Sequence, residues 1–490
     1  MSAPIHSSHQ RTWLAGASVL AGGLLLQGCA VGPDFVAPKP PLPATVASAG
    51  AGAAPARLDP GGHEQQLGND TVSGTWWTAF GSPELNDLVT EALHHNPRLT
   101  AARNSLQRAR DVLKVESGIA FWPSADLQLG AGRQRILNLP VFPTPPTVMY
   151  GTYGATVGVN YTLDLFGGQR RTVEAAGADV EVADHDYQAA RLSLAANVCN
   201  TAIGAAALAQ RIALAERAEA AAVALRDAAR QRRALGQVTD AAVLQAEHQL
   251  AAQAQLLPGL RGAHQRLRSA LAVMLGRTPD QAPPDLDWQS LTLPTNLPDT
   301  VPSQLVRQRP DIQAAEARLH SATAMYGAAI SNLYPQIQLG ASWGRNGYST
   351  SQLMSGPPAV WHVLGGLTQP LFRAGALEAA KRAAGLDQEN ALASYLGTVL
   401  LAWQNVADVR QSLTDDAALD AAARQAQEAS ARQWQQDRQR AQLGSVPTVV
   451  LQADAVTALN DEGSAVTALA QRYVDTVTWY QALSGPIVNR

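Results

Sequence analysis

Four stretches of the chain alternate apolar and polar residues. In Ser124 to Arg135, Ala125, Leu127, Leu129 and Ala131 point one way while Asp126, Gln128 and Gly130 point the other. Tyr150 to Leu165 alternates likewise through Tyr153, Ala155, Val157, Val159 and Tyr161, and Pro140, Pro143, Pro145 and Pro146 make the intervening segment a loop. Gln336 to Arg345 and Trp361 to Leu371 repeat the pair across a Gly/Ser/Asn loop. The pattern predicts strands over 124–135, 150–165, 336–345 and 361–371. Strands of about ten alternating residues have the length a tilted strand needs to cross a bilayer, although a soluble hairpin carries the same alternation.

Outside the hairpins the period changes. Ser82 is a good N-cap for a helix presenting Leu85, Leu88, Val89, Ala92 and Leu93 on one face, and a second helix continues from Pro97 to about Ile119. From Gly168 to about Leu235 no proline interrupts the chain. At ~1.5 Å per residue such a helix is on the order of 100 Å long, too long for a compact domain to enclose. Val173, Val180, Tyr187 and Leu194 recur every seventh residue, with Ala176, Ala183 and Ala190 beside them. Val243, Leu250, Leu257 and Leu271 mark the return helix, Leu392, Val399, Val406 and Leu413 the second long helix, and Leu459, Val466, Tyr473 and Tyr480 its return. These are coiled-coil seams, locally weakened by Gln253 and His264, with a kink expected at Pro258. The helix before the first hairpin (about 22 residues) and the return helix (about 38) together match the long one, so they can lie end to end beside it.

The two halves are copies. Asn96-Pro97 answers Arg309-Pro310, Trp122-Pro123 answers Tyr334-Pro335, Leu165-Phe166 answers Leu371-Phe372, and Leu235-Gly236 answers Leu443-Gly444, all at offsets of about 206 to 213. The expected organisation is a signal peptide (1–28), a lipidated tether (29–75), a first repeat (76–276), a Pro-rich linker (277–301), a second repeat (302–485) and a short tail (486–490). Each repeat supplies two strands. Four strands cannot close a membrane barrel, because an open edge in lipid costs several kcal/mol per unpaired backbone group. Three copies would supply twelve strands and twelve helical staves.

Net charge is −3, which advertises no polyanionic partner and argues against nucleic-acid binding. Beyond the first 30 residues no apolar run reads as long enough for a spanning helix. Arg11 precedes an apolar stretch ending in Leu26-Gln27-Gly28-Cys29, which resembles the lipobox of bacterial lipoproteins. Cleavage there would leave a covalent lipid on Cys29, and no other cofactor is expected; Ala30, rather than an aspartate, is permissive for the outer membrane by the same resemblance. Cys199 then lacks a disulfide partner.

Cys29 followed by Gly32-Pro33-Asp34-Phe35, the Trp76-Trp77, Phe80, Leu85 run, Ala92-Leu93-His94-His95-Asn96-Pro97 and the two Leu-Phe turns into long helices resemble the TolC-like outer-membrane efflux channel family, in its lipoprotein branch of OprM-like and NodT-like proteins. The resemblance covers nearly the whole mature chain. It implies a mixed α and β membrane protein: a homotrimer with a 12-stranded β-barrel among outer-membrane lipids, continued by a coiled-coil α-helical barrel across the periplasm. It further implies docking on a periplasmic adaptor (membrane fusion) protein and an inner-membrane efflux pump, with this chain a passive conduit for small molecules. The family gate lies where the long helices turn, at Gly236 and Gly444. Members carry a Leu-Asp-Ala sequence after the second turn; here Val449-Val450-Leu451-Gln452-Ala453-Asp454 places Gln452 at that position and Asp454 about 200° around the helix. Val449, Gln452 and Asp454 are the gate candidates, and Leu244-Gln245-Ala246-Glu247 is the matching segment of the first repeat.

Other chemistry is poorly supported. Gly340-Ala341-Ser342-Trp343-Gly344 fits a nucleophile-elbow spacing but sits within an alternating strand, and the adjacent His94 and His95 lack metal-ligand spacing. No enzymatic activity or metal site is expected. The competing readings are a periplasmic coiled-coil adaptor or scaffold lipoprotein, which needs no paired strands, and a lipoprotein enzyme, which needs a convergent acid, base or nucleophile.

Overall fold

The structure, a computed structural model, describes residues 30–39, 64–68, 74–137, 147–298, 308–355 and 359–483. The signal segment, Cys29 and the tail 486–490 lie outside the described residues. In chain order the elements are β1 (Gln66–Gly68), α1 (Pro83–His95), α2 (Pro97–Phe121), β2 (Ser124–Leu137), β3 (Thr147–Leu163), α3 (Gly168–Ala234), α4 (Asp240–Met274), β4 (Asn296–Pro298), α5 (Pro310–Ser331), β5 (Gln336–Gly347), α6 (Thr350–Ser355), β6 (Val360–Thr368), α7 (Ala376–Gln442) and α8 (Thr448–Leu483). They fall into two compact units, one of residues 30–38, 107–182 and 315–394, the other comprising the described remainder.

The first unit holds an antiparallel four-stranded sheet in the order β2-β3-β5-β6. Its register separates two faces. Leu127, Val157, Trp343 and Trp361 align in one row across all four strands; one residue along, Asp126, Gly158, Ser342 and His362 align on the opposite face. The apolar face is uncovered: Trp361 is 70% and Val363 74% exposed. The strands depart from the sequence expectation at their ends. β2 and β3 extend further into the loop between them, whereas β6 stops at Thr368, because Pro370 cannot donate to a ladder. The segment expected to be a loop between β5 and β6 contains α6, whose Gln352 N–H donates to Ser349 Oγ (3.3 Å) while Gln352 Oε1 reaches back to the Tyr348 N–H (2.8 Å).

The N-terminal segment packs onto this unit. Val31 N–H donates to the Phe166 carbonyl (3.0 Å), Asp34 accepts from Arg171 (2.6 Å), and Phe35 stacks on His320 at 4.4 Å. Arg171 also donates to Glu174 (2.7 Å), which bonds His320 (2.9 Å). Gly32 has φ +95°, and a Cβ there would lie 2.6 Å from the Gly327 Cα, so the approach needs glycine at 32. Residues 31–35 of the expected tether therefore contact this unit.

The second unit is mostly helical. Ser82 Oγ caps α1 by accepting from the Leu85 N–H (3.3 Å). The end-to-end staves are joined by side chains: Asn96 accepts from the Arg98 and Leu99 N–H groups at the start of α2 and donates to the Met274 carbonyl at the end of α4 (2.8 Å). At the equivalent position of the second repeat, Arg309 is held by Asp311 and donates to the Ala482 carbonyl near the end of α8 (3.1 Å).

The heptad seams of the second half are buried at Val399, Val406 and Leu413 and from Leu459 to Tyr480, while Leu392 is exposed. In α3 the expected seam of Val173, Val180, Tyr187 and Leu194 is only half-buried; Leu192, Ala195, Ala196, Cys199 and Ile203 are the covered stripe, because small side chains allow the closest helix approach. That stripe makes part of α3 apolar and long enough to pass for a membrane span, contrary to the sequence expectation, but most of that stretch is buried within the chain. α4 runs on through Pro258; Gln253 is buried, and His264 bonds Asp285 (2.9 Å).

A girdle surrounds α8. β1 pairs in parallel with β4, bringing a piece of the tether against the Pro-rich linker. Trp76 stacks on Tyr480 at 5.8 Å, and Tyr473 donates from its hydroxyl to the Leu291 carbonyl (3.0 Å). At its centre the buried Arg472 donates to Asp420 (2.9 Å) and to Gln65 Oε1 (2.9 Å), and Gln65 Nε2 donates to Thr476 Oγ1 (3.1 Å). Removing one member leaves an uncompensated buried charge. Asp420→Ala should lower stability by about 3–5 kcal/mol, whereas Asp420→Ala with Arg472→Met should recover most of the loss. Thermal unfolding of the detergent-solubilised variants checks this, and equal losses in the single and double variants would contradict it.

Candidate functional site

The two turns where long helices reverse are built alike. Gly236 and Gly444 both have φ +71°, the left-handed conformation that ends a helix at low cost in glycine. Gln237 N–H donates to the Arg232 carbonyl and Ser445 N–H to the Arg440 carbonyl, closing each turn at 2.8 and 3.0 Å. Each presents the leucine before its glycine: Leu235 is 71% and Leu443 83% exposed.

Their charges differ. Near the first turn Arg230 of α3 donates to Glu247 of α4 (2.6 Å), and Arg233 pairs with Asp240. Near the second turn Asp454 of α8 meets Asp437 of α7, a like-charged pair where the first repeat has an opposite-charged one. Asp437 is buried, with Gln433 donating to it and Arg440 at 3.4 Å. Asp454 Oδ2 is buried without a hydrogen-bond partner among the described residues. Burial first, and then the neighbouring Asp437 carboxylate, push the Asp454 carboxyl above its ordinary range. Of the other candidates, Val449 packs with Ala453 against Leu225, Ala229 and Ala246, and Gln452 is half-buried. The neighbour that raises Asp454 is thus Asp437, which sequence reasoning missed; the two lie 17 positions apart on different helices.

A second carboxyl pair joins the same helices beside the girdle. Burial and then Asp475 push the Asp416 carboxyl up to about 7. In the sheet, Ser342 bonds His362 across the strands (2.8 Å) from the middle of β5, and the strand continues to Gly347 rather than turning into a helix after the serine.

The profile described as outer membrane efflux protein matches residues 88–277 and 301–485 of this chain, the two repeats in turn. The chain is 30% identical over 370 residues to the pyoverdine export outer membrane protein OpmQ of Pseudomonas putida, covering 74% of each. It is 30% identical over 409 residues to the outer membrane protein OprJ of Pseudomonas aeruginosa, covering 80% of this chain and 79% of that protein. Among solved structures, the outer-membrane channel OprN superposes with a TM-score of 0.81 at 28% identity, covering 94% of this chain and 100% of that one.

The carboxyl pairs set a direction for pH dependence. A carboxyl whose folded pKa is raised contributes stability that is full below its unfolded value and lost as pH rises through the folded value. For Asp416 that window runs from 3.8 to about 7. Asp416→Asn should therefore flatten the fall of the thermal midpoint across this window and gain on the order of 1 kcal/mol at pH 8 after solvent screening. Asp454→Asn should act in the same direction. Melting curves between pH 4 and 8 with slopes identical to wild type would refute the assignment.

Proposed function

This chain belongs to the outer membrane efflux protein family, and from that premise we propose the assembly in which it works: a homotrimer whose twelve strands close one barrel in the outer membrane. The chain is an outer-membrane channel subunit, a conduit of an efflux system. Two copies would give eight strands, an interior just wide enough to be filled by side chains; twelve leave a lumen.

The observation that carries the assembly is a contact made once within the chain and left open where the repeat calls for it again. Phe166, at the end of β3, stacks on Tyr334, before β5, at 4.8 Å. Their repeat equivalents are Phe372 and Trp122, and these are 87% and 74% exposed. The β3–β5 pairing likewise has an equivalent, β6 against β2, and both of those strands are sheet edges. A neighbouring copy satisfies both at once, with Phe372 on the next copy's Trp122 and β6 beside its β2. An uncovered apolar face on the same sheet fits a lipid-facing barrel wall, which a soluble adaptor or scaffold would not need.

The lipid on Cys29 belongs to the same reading. Its support is that Val31 and Asp34 are bound where β3 runs into α3, close to the end of the strands, where the bilayer surface would lie. The helix tips at Gly236 and Gly444 face the periplasmic adaptor and the inner-membrane pump, which supplies the energy. Asp454, with Gln452 and Val449 on the same turns of α8, forms the gate segment, and the Asp437–Asp454 pair loosens it as pH rises.

Tyr161 opposite Leu339 maps by the repeat onto Leu367 opposite Leu127 of the next copy. Leu127→Cys together with Leu367→Cys should give covalent trimers on a non-reducing gel of outer membranes, while neither single variant does. Recovery as a buffer-soluble monomer would favour the scaffold reading instead. Deletion of the gene should raise intracellular accumulation of at least one toxic solute, and unchanged accumulation across a broad panel would count against export.

A further inference from the structure

The two hairpins, 124–163 and 336–368, contain three cationic side chains, Arg133, Arg135 and Arg345, and one carboxylate, Asp126, near the start of β2. All three occupy odd positions of β2 and β5, so they share the apolar face with Leu127 and Trp343 rather than the opposite face with Asp126 and Ser342. A channel whose charges served only its lumen would distribute them the other way. On a lipid-facing surface an arginine is costly at the bilayer midplane and cheap at its edge, so the positions of these residues along the strands are informative.

On β2 four outward positions, Ala125, Leu127, Leu129 and Ala131, precede Arg133; on β5 four, Ile337, Leu339, Ala341 and Trp343, precede Arg345. Arg133 and Arg345 are repeat equivalents, since 345 minus 133 equals 335 minus 123, the offset of the two prolines that open the strands. In the register Arg345 lies in the row of Leu129, four residues short of Arg133. That is the stagger of a tilted sheet, in which equivalent positions of a repeat return to one height. Trp343 and Trp361 face each other at the far edge of the apolar band, the place of an interfacial aromatic. The arginines are exposed and partly oriented: Arg135 donates through Nε and Nη2 to Thr147 Oγ1 (3.1 and 3.0 Å), and Arg345 donates to the Met354 carbonyl (3.3 Å). Each guanidinium keeps further donors, whose fork matches a phosphate.

We propose that Arg133, Arg135 and Arg345 form a cationic belt at the loop end of the barrel wall that binds the phosphorylated glycolipid headgroups of the outer leaflet, the lipopolysaccharide class. This rests on the outer-membrane reading above, in which the loop end of the sheet faces outward. The occupant follows from charge complementarity: three cations per chain, no carboxylate on their face of the hairpins, the one strand carboxylate, Asp126, lying on the opposite face near the other end of β2, and a lateral rather than lumenal aspect.

The test uses the full-length protein purified in detergent, with lipopolysaccharide binding measured by native mass spectrometry. Binding should fall at least about tenfold in the triple variant R133Q/R135Q/R345Q, and R133K/R135K/R345K should retain more of it than the glutamine variant. Dephosphorylated lipopolysaccharide should bind wild type no better than intact lipopolysaccharide binds the glutamine variant, and inorganic phosphate at equal concentration should not compete. Equal binding by wild type and the glutamine variant, or full competition by inorganic phosphate, overturns the proposal. If the glutamine variant fails to assemble, R133Q alone should still show a measurable drop, and no drop overturns the proposal as well. Failure of the wild type to fractionate with the outer membrane would instead overturn the assembly reading, which distinguishes the two.

Discussion

A backbone amide or carbonyl left unpaired in hydrocarbon costs several kcal/mol, and a sheet of four strands has two edges that must be dealt with. Much of the rest of the molecule can be read from that constraint. The edge strands β2 and β6 are the outer members of the two hairpins, and duplication makes them complementary: each repeat ends in the kind of strand that the next begins by accepting. The inner junction joins the two hairpins where β3 meets β5 and Phe166 meets Tyr334.

Long helices pose a different problem, since each hairpin is entered by a short helix and left by a long one. The mismatch is resolved by abutting two helices against the long one, which creates a joint whose terminal N–H and C=O groups need partners. The repeats solve it with different chemistry. Asn96 uses its amide to serve both helix ends, whereas Arg309 spans the joint with a guanidinium that Asp311 holds in place. Around α8 the segments that precede and link the repeats close into a girdle centred on Arg472, a buried charge whose partners come from α7 and from the tether. Buried ion pairs add little net stability but penalise wrong registers heavily, and that suits a place where three remote segments must meet in one way.

The two turns keep one backbone shape and differ in charge. Both turns have the same glycine conformation and the same closing hydrogen bonds, yet one is braced by Arg230 and Glu247 and the other holds Asp437 against Asp454. An opposite-charged pair is indifferent to pH near neutrality; a carboxyl pair is held together by a proton and opposed by its loss. The asymmetry gives the second turn a chemical lever that the first lacks.

By itself the sequence determined the type and order of the elements, the duplication, the two faces of the sheet and the glycine turns, because period, proline and repeat offset are local or translational properties of a chain. The small helix after Ser349 and the short strands β1 and β4 escaped, since six and three residues are too few to show a period. What only the tertiary structure decided are the pairings between distant residues: Gln65 with Arg472 across 407 positions, Asp34 with Arg171, Asp437 with Asp454, and the stagger that relates Arg133 to Arg345. Each depends on strand register or on the rotation of one helix against another. A one-residue slip in either changes every partner while leaving the hydrophobic pattern that predicts the elements intact.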